Sequence, residues 1–232
     1  MPLRPSKGNM YPWVTHTHSH IGGECPHKCT YCYVNNKRFG RPAKYQGELR
    51  LLDPELEIPY GKGNTIFIDN CNDLFAAEVP SDWIKAVLIH CHKYPLNLYV
   101  FQTKNPARYL EFIDVLPDSR YLGCTIETNR LVHDISLAPI PYERALAMMA
   151  LPIEETRFVT MEPILDFDLP VIIEWMKQIH PNFVNIGADS QRNNLVEPDA
   201  SKILNLIEGL SGAGIRIREK HNLDRIIKGT ST

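Results

Sequence analysis

The sequence predicts an α/β fold, a partial and open (β/α)6 barrel, and three observations carry that prediction. Short apolar runs recur between segments of helical periodicity, the alternation that produces βαβ units and a parallel sheet with right-handed crossovers. Counting a histidine-rich run as the first strand gives six βα units before a terminal strand, two short of a full barrel. At 232 residues, with 44% hydrophobic and 22% charged residues, the chain suits one continuous core. A single domain over 1–232 is expected, with its core at about 13–220.

The first strand is read in Trp13-Val-Thr-His16-Thr-His18-Ser-His20-Ile21. Strict alternation puts the three histidines on one face and Thr15, Thr17 and Ser19 on the other. Neither face is apolar, so one of them is expected to line a polar cavity; the competing reading is hydrogen-bonded core or surface histidines. Val34 to Leu51 reads as irregular or partly helical, and Leu51 to Gly63 as a surface excursion. Asn35 to Tyr45 interleaves four cations with two aromatics, a pattern that can hold a phosphate backbone and stack bases, or simply be a solvated loop.

From residue 64 the rhythm is regular. Thr65–Ile68 is a strand, and Pro80-Ser81-Asp82 starts a helix that runs to His92. Asn97–Phe101 is the next strand, with Pro106 at a helix start. Tyr121–Ile126 follows, then a helix over Tyr142 to Ala150. Arg157–Met161, a helix over Leu169 to His180, Phe183–Ile186 and a helix over Ala200 to Leu210 complete the series. Gly212 and Gly214 end that helix, and Ile215–Lys220 reads as the terminal strand.

No apolar run approaches the length of a membrane span. Acids outnumber bases 27 to 25, so the global positive field of many nucleic-acid binders is missing. With no apolar signal segment, a cytoplasmic, reducing location is expected, and the six cysteines then ask for a chemical reason.

Three of them stand in Cys25-Pro-His-Lys-Cys29-Thr-Tyr31-Cys32. Spacings of three and two let one loop wrap its sulfurs around a single inorganic centre, and thiolates are the ligands that iron–sulfur clusters select. A cubane 4Fe-4S cluster held by three cysteines keeps one iron open, the mark of a reactive site. The alternative is structural zinc, with His27, His16, His18 or His20 completing a Cys3His set, in a non-catalytic interaction module.

In parallel α/β folds the ligand site lies at the carboxyl ends of the strands. Those ends are polar here: Asp69 to Asp73, Gln102-Thr103-Lys104, Glu127-Thr128-Asn129, Glu162 and Asp189-Ser190. Taken singly, Asp73 or Asn129 is equally a helix cap and Glu162 an ion-pair partner.

The cysteine spacing and Tyr31 resemble the signature of the radical S-adenosylmethionine (SAM) superfamily. That resemblance implies a TIM-like barrel of the radical SAM type, a 4Fe-4S cluster on Cys25, Cys29 and Cys32, and SAM on the open iron. An electron from a reductant such as flavodoxin or ferredoxin then cleaves SAM to a 5′-deoxyadenosyl radical. By strand order it assigns Asp69, Asn72 and Asp73 to the SAM ammonium, Glu127 with Asn129 to the ribose or carboxylate, and the backbone at Ile186 to the adenine. Thr103 and Glu162 complete the cofactor set.

Over the whole chain, Cys29-Thr-Tyr-Cys-Tyr33, Asp73-Leu-Phe75, Thr103-Lys-Asn-Pro106, Thr160-Met-Glu-Pro163, Gly187-Ala-Asp-Ser190 and Arg218-Glu-Lys220 are similar to phage Gp37/Gp68-type radical SAM proteins. That group is similar in turn to the DNA photolyase-like branch containing spore photoproduct lyase. The resemblance implies hydrogen abstraction from a substrate, with a nucleic-acid base or nucleotide and repair-type lyase chemistry as the nearest hypothesis. A thiol can return hydrogen to a carbon radical, and Cys71, past the second strand, is the candidate donor; Cys91 and Cys124 read as packing or strand residues.

Overall fold

The computed structural model describes residues 3–7, 10–35, 40, 42–132 and 134–229. Eight of its ten strands belong to a mostly parallel sheet, interleaved with helices as expected. The chain forms two compact units, Met1–Lys28 with Cys32–Leu122, and Cys29–Tyr31 with Gly123–Thr232.

In the first unit, β1 (Arg4–Pro5) runs antiparallel to β2 (His16–His18). Strands β3 (Ile21–Gly22) and β4 (Arg50–Leu51) form a separate antiparallel pair. Strand β5 (Thr65–Ile68) lies parallel to β2 and to β6 (Leu98–Thr103). Ile66, Phe67 and Ile68 are all buried, as both faces of a parallel strand should be. Helix α1 (Ser81–His92) follows Pro80, carries Asp82 in its first turn, and buries Ile84, Val87, Leu88 and Cys91, one stripe at helical spacing.

After β6 the expected helix is short: a 3-10 turn at Pro106–Arg108 leads into α2 (Tyr109–Phe112). The chain leaves this unit along β7 (Arg120–Thr125).

In the second unit, α3 (Pro141–Met149), β8 (Arg157–Met161), α4 (Leu169–Ile179), β9 (Phe183–Ile186), α5 (Ala200–Gly212) and β10 (Ile217–Glu219) succeed one another. Strand β9 is parallel to both β8 and β10. Helix α4 buries Ile172, Trp175, Met176 and Ile179 and ends on His180 in the left-handed region, φ 51°. Asp199 caps α5 by accepting from the Lys202 amide at 2.8 Å. A short α6 (Asp224–Ile227), not anticipated, closes the fold.

Two expectations change. The histidine-rich strand covers only His16–His18, because the amides of His20 and Ile21 donate to Asp69 Oδ1 at 2.8 and 2.9 Å and so leave the ladder. The stretch from Leu51 to Gly63 is no mere surface excursion: it holds a 3-10 turn at Asp53–Glu57 and sends Ile58 and Tyr60 into the core. Of the basic, aromatic segment 35–45, Asn36 to Phe39 and Arg41 lie outside the described residues.

Candidate active site

The loop that carries the cysteines is entered through Gly23, at φ +88°, where an added Cβ would lie 2.2 Å from the Glu48 carbonyl oxygen. No other residue fits that turn. His27, inside the loop, is buried with its Nε2 2.7 Å from Asp73 Oδ2. Asp73 also accepts from the Thr103 hydroxyl at 2.9 Å, the Lys104 amide at 2.8 Å and the Phe75 amide at 2.9 Å. Burial pushes its carboxyl up, but His27 and these donors outweigh burial and hold it below the usual carboxylate range. Asn72 donates to Gly23 O at 3.1 Å and accepts from the Asp73 amide at 2.9 Å. The turn after β5 is thus tied to the start of the cysteine loop within one unit.

Asp69, a non-glycine at φ 55°, does comparable work one turn earlier. Its Oδ2 lies 3.3 Å from His20 Nδ1, and His20 Nε2 is 2.6 Å from the Tyr60 hydroxyl. His18 sits 3.2 Å from Glu55 O and edge-on to His20, with ring centroids 4.7 Å apart. His90 packs against Tyr60 at 4.5 Å and bonds Ile58 O at 2.9 Å. Burial, reinforced by His20, brings both His18 and His90 down to about 4. These rings form a hydrogen-bonded core; His16, half-exposed, meets Thr15 Oγ1 at 2.9 Å.

Cys71 lies in this unit with its sulfur 3.5 Å from the Tyr33 hydroxyl, which donates to Asn70 O at 2.8 Å. Burial raises the thiol, while hydrogen bonds with Tyr33 and Tyr45 oppose that rise. The group is a protonated S–H at neutral pH, flanked by two phenols. Cys91 and Cys124 are fully buried, as packing residues are.

In the second unit the cysteine loop contributes Cys29, Thr30 and Tyr31. The Tyr31 hydroxyl donates to Glu127 Oε1, and Glu127 Oε2 accepts from Arg144 at 2.7 Å. Arg144 is itself buried and bonds Thr125 O at 2.6 Å and Pro139 O at 2.7 Å. Burial and the Glu127 charge raise the Tyr31 phenol, so it stays a donor. Sequence reasoning did not single out Arg144. The available signal was its position four residues before Met148, on the face of α3 that is buried.

Asn129 brackets Asp168, donating to its carboxylate at 3.0 Å and accepting from its amide at 2.7 Å. Glu162 pairs with Lys220 at 2.9 Å and accepts from Asn222 at 3.2 Å. Gly187 faces it so closely that a Cβ there would stand 2.9 Å from Glu162 Cδ. Ile186 is fully buried, with its carbonyl accepting from the Lys220 amide at 2.9 Å. Past it, Asp189, Arg192, Asn194, Leu195, Glu197 and Arg225 line a cleft of about 480 Å³.

None of the six cysteines, all among the described residues, is in a disulfide, and Cys25, Cys29 and Cys32 are each half-buried. No group of three or more His, Cys, Asp or Glu among the described residues is gathered closely enough to hold a metal ion. The donor set nevertheless fits a thiolate-held cluster, since three of the four histidines that could complete a zinc set are already engaged. His27 is committed to Asp73, His20 to Asp69 and Tyr60, and His18 to Glu55. What the loop offers a metal is three soft sulfurs.

The sequence profile of a family described as "Protein of unknown function (DUF5131)" matches residues 11–194. No curated protein matches by sequence. Among solved structures, spore photoproduct lyase aligns over 94% of this chain and 81% of its own, at 10% identity and TM-score 0.66. The same protein complexed with dinucleoside spore photoproduct aligns over 92% and 79%, at 9% identity and TM-score 0.65. Streptococcus suis SuiB bound to S-adenosylmethionine aligns over 93% of this chain and 53% of its own, at 10% identity and TM-score 0.60. The fold is therefore the α/β type with a mostly parallel sheet that the sequence predicted, shared with spore photoproduct lyase and SuiB. No helix among the described residues is long and apolar enough to cross a membrane.

Proposed function

We propose that this chain, which belongs to the family described as protein of unknown function (DUF5131), is a radical SAM enzyme acting as one domain. The observation that carries the reading is the Cys25, Cys29 and Cys32 triad on a loop whose histidine is held away by Asp73. A 4Fe-4S cluster bound by those sulfurs supplies the electron for reductive cleavage of SAM. The chain's own residues bind, orient and shield.

Glu127 already accepts from a hydroxyl, that of Tyr31, and is assigned to the SAM ribose, with Asn129 holding its strand end. Asn72 and Thr103 are assigned to the ammonium side, where Asp69 and Asp73 shape the turn. Glu162 and the Ile186 backbone are assigned to the adenine side. Cys71 is the proposed hydrogen donor, supported by its protonated thiol beside Tyr33 and Tyr45.

For the substrate, a nucleobase or nucleotide is favoured. The likeness to spore photoproduct lyase spans most of that protein, whereas SuiB, solved with a precursor peptide, is matched over half its length. A cytoplasmic site and a flavodoxin- or ferredoxin-type reductant complete the proposal.

The test is anaerobic reconstitution with iron and sulfide. About four of each per chain are expected, with loss of the cluster in Cys25→Ala, Cys29→Ala and Cys32→Ala. With SAM and reductant, mass spectrometry should find 5′-deoxyadenosine. Cys71→Ala should still make it but give an altered product from an accepted substrate. A colourless protein holding one zinc would overturn the enzyme reading, and normal product from Cys71→Ala would remove that residue as donor.

A further inference from the structure

We propose that Ser136 tunes the iron–sulfur cluster, donating a hydrogen bond to the sulfur of Cys29 that raises the cluster's reduction potential. The inference rests on the cluster assignment above and goes beyond it. In the second unit Ser136 Oγ lies 3.2 Å from Cys29 Sγ. A thiolate ligand has no proton to give, so in the loaded protein the hydroxyl must be the donor.

The hydroxyl is aimed rather than incidental. Its oxygen accepts from the Ala138 amide at 3.1 Å, which fixes the oxygen and leaves the O–H proton for the sulfur. The backbone on both sides of Ser136 is tied to the cysteine loop or its supports. The Thr30 amide donates to Ile135 O at 2.9 Å, and Pro139 O accepts from Arg144, the guanidinium that holds Glu127 against Tyr31. One segment, 135–139, is thus held beside Cys29 and Tyr31 at successive points.

Hydrogen bonds to cluster sulfurs are among the levers a protein has on potential. Reduction puts more negative charge on the sulfurs, so a donor dipole stabilises the reduced state more than the oxidised one. Ser136→Ala should therefore lower the potential.

The experiment is a potentiometric titration of the reconstituted cluster followed by EPR, without SAM or substrate. At a fixed potential near the parent midpoint, the reduced-to-oxidised ratio in Ser136→Ala should fall at least about threefold, on a scale of about 59 mV per tenfold for a one-electron couple. Ser136→Thr, which keeps the hydroxyl, should titrate like the parent. Ser136→Val, its isostere without the hydroxyl, should follow alanine, and serves if alanine loosens the loop. Equal midpoints for parent, alanine and valine variants of matched iron content would overturn the tuning role while leaving the cluster assignment standing. A parent that assembles no cluster would overturn both.

Discussion

The turns that follow β5 and β9 are written in similar residues, Asp69-Asn-Cys-Asn-Asp73 in one and Asp189-Ser-Gln-Arg-Asn-Asn194 in the other. After β5 the carboxylates are closed: Asp73 receives four donors, and Asp69 receives two amides and a histidine. After β9, Asp189 closes its own turn, accepting from Gln191 and Asn193, while Glu197 and Arg225 face one another along an open cleft. Acidic residues at strand ends are alike as letters. What separates the two turns is where the groups that occupy their lone pairs come from: distant segments in the first, the turn itself and its near neighbours in the second.

The comparison breaks most readily at Asp73. Asp73→Ala removes the partner of buried His27 and orphans the Thr103 hydroxyl and two amides, a loss of about 3–5 kcal/mol. Urea unfolding should show the shift in midpoint at an unchanged slope. Asp73→Asn, which keeps two acceptor positions, should lose less. A loss under about 1 kcal/mol in the alanine variant would mean the turn after β5 is not the clamp described.

Legibility in the sequence follows the range of the interactions. The strand and helix order was readable because periodicity, Pro80 and Asp199 act within a turn or two of themselves. The cysteine loop was readable because its spacing is local. The truncation of the histidine strand was not, since it depends on Asp69, 49 residues beyond His20. Nor was the closure of Asp73, because His27 and Lys104 reach it from 46 residues upstream and 31 downstream, whereas the donors to the Asp189 carboxylate lie within four residues of it. Ser136 and Arg144 carry no motif at all; only Arg144 left a trace, in its place on a buried helical face.

The histidine core beside β5 gives the next largest effect, one that the cleft after β9 has no histidines to share. His18 and His90 titrate near 4 against an ordinary 6.5. Between those values the unfolded chain takes up protons that the folded chain refuses, so stability is full above about pH 6.5 and falls as pH drops toward 4. Each ring contributes a slope of up to about 1.4 kcal/mol per pH unit, and because both sense His20 a combined loss of about 2–3 kcal/mol by pH 4.5 is expected. Asp73, held low, adds its own loss only below its ordinary 3.8. His90→Gln, which can still donate to Ile58 O, should flatten the profile. A parent profile flat from pH 7 to 4.5 would show that the rings protonate without cost.

The smallest effect belongs to Arg225. Its guanidinium meets both oxygens of Glu197, at 2.7 and 2.8 Å, and Asp189 O at 3.3 Å. Both side chains keep about a fifth of their surface in water, 23% and 18%, where an ion pair contributes about 0.2–1 kcal/mol. Glu197 also accepts from the Asp189 amide at 2.7 Å, so losing the arginine does not leave its carboxylate unpartnered. Arg225→Ala should therefore shift the urea midpoint by no more than that range, and the small shift should shrink further in high salt, as screening requires. A loss approaching that of Asp73→Ala would put the turn after β9 in the same class as the turn after β5.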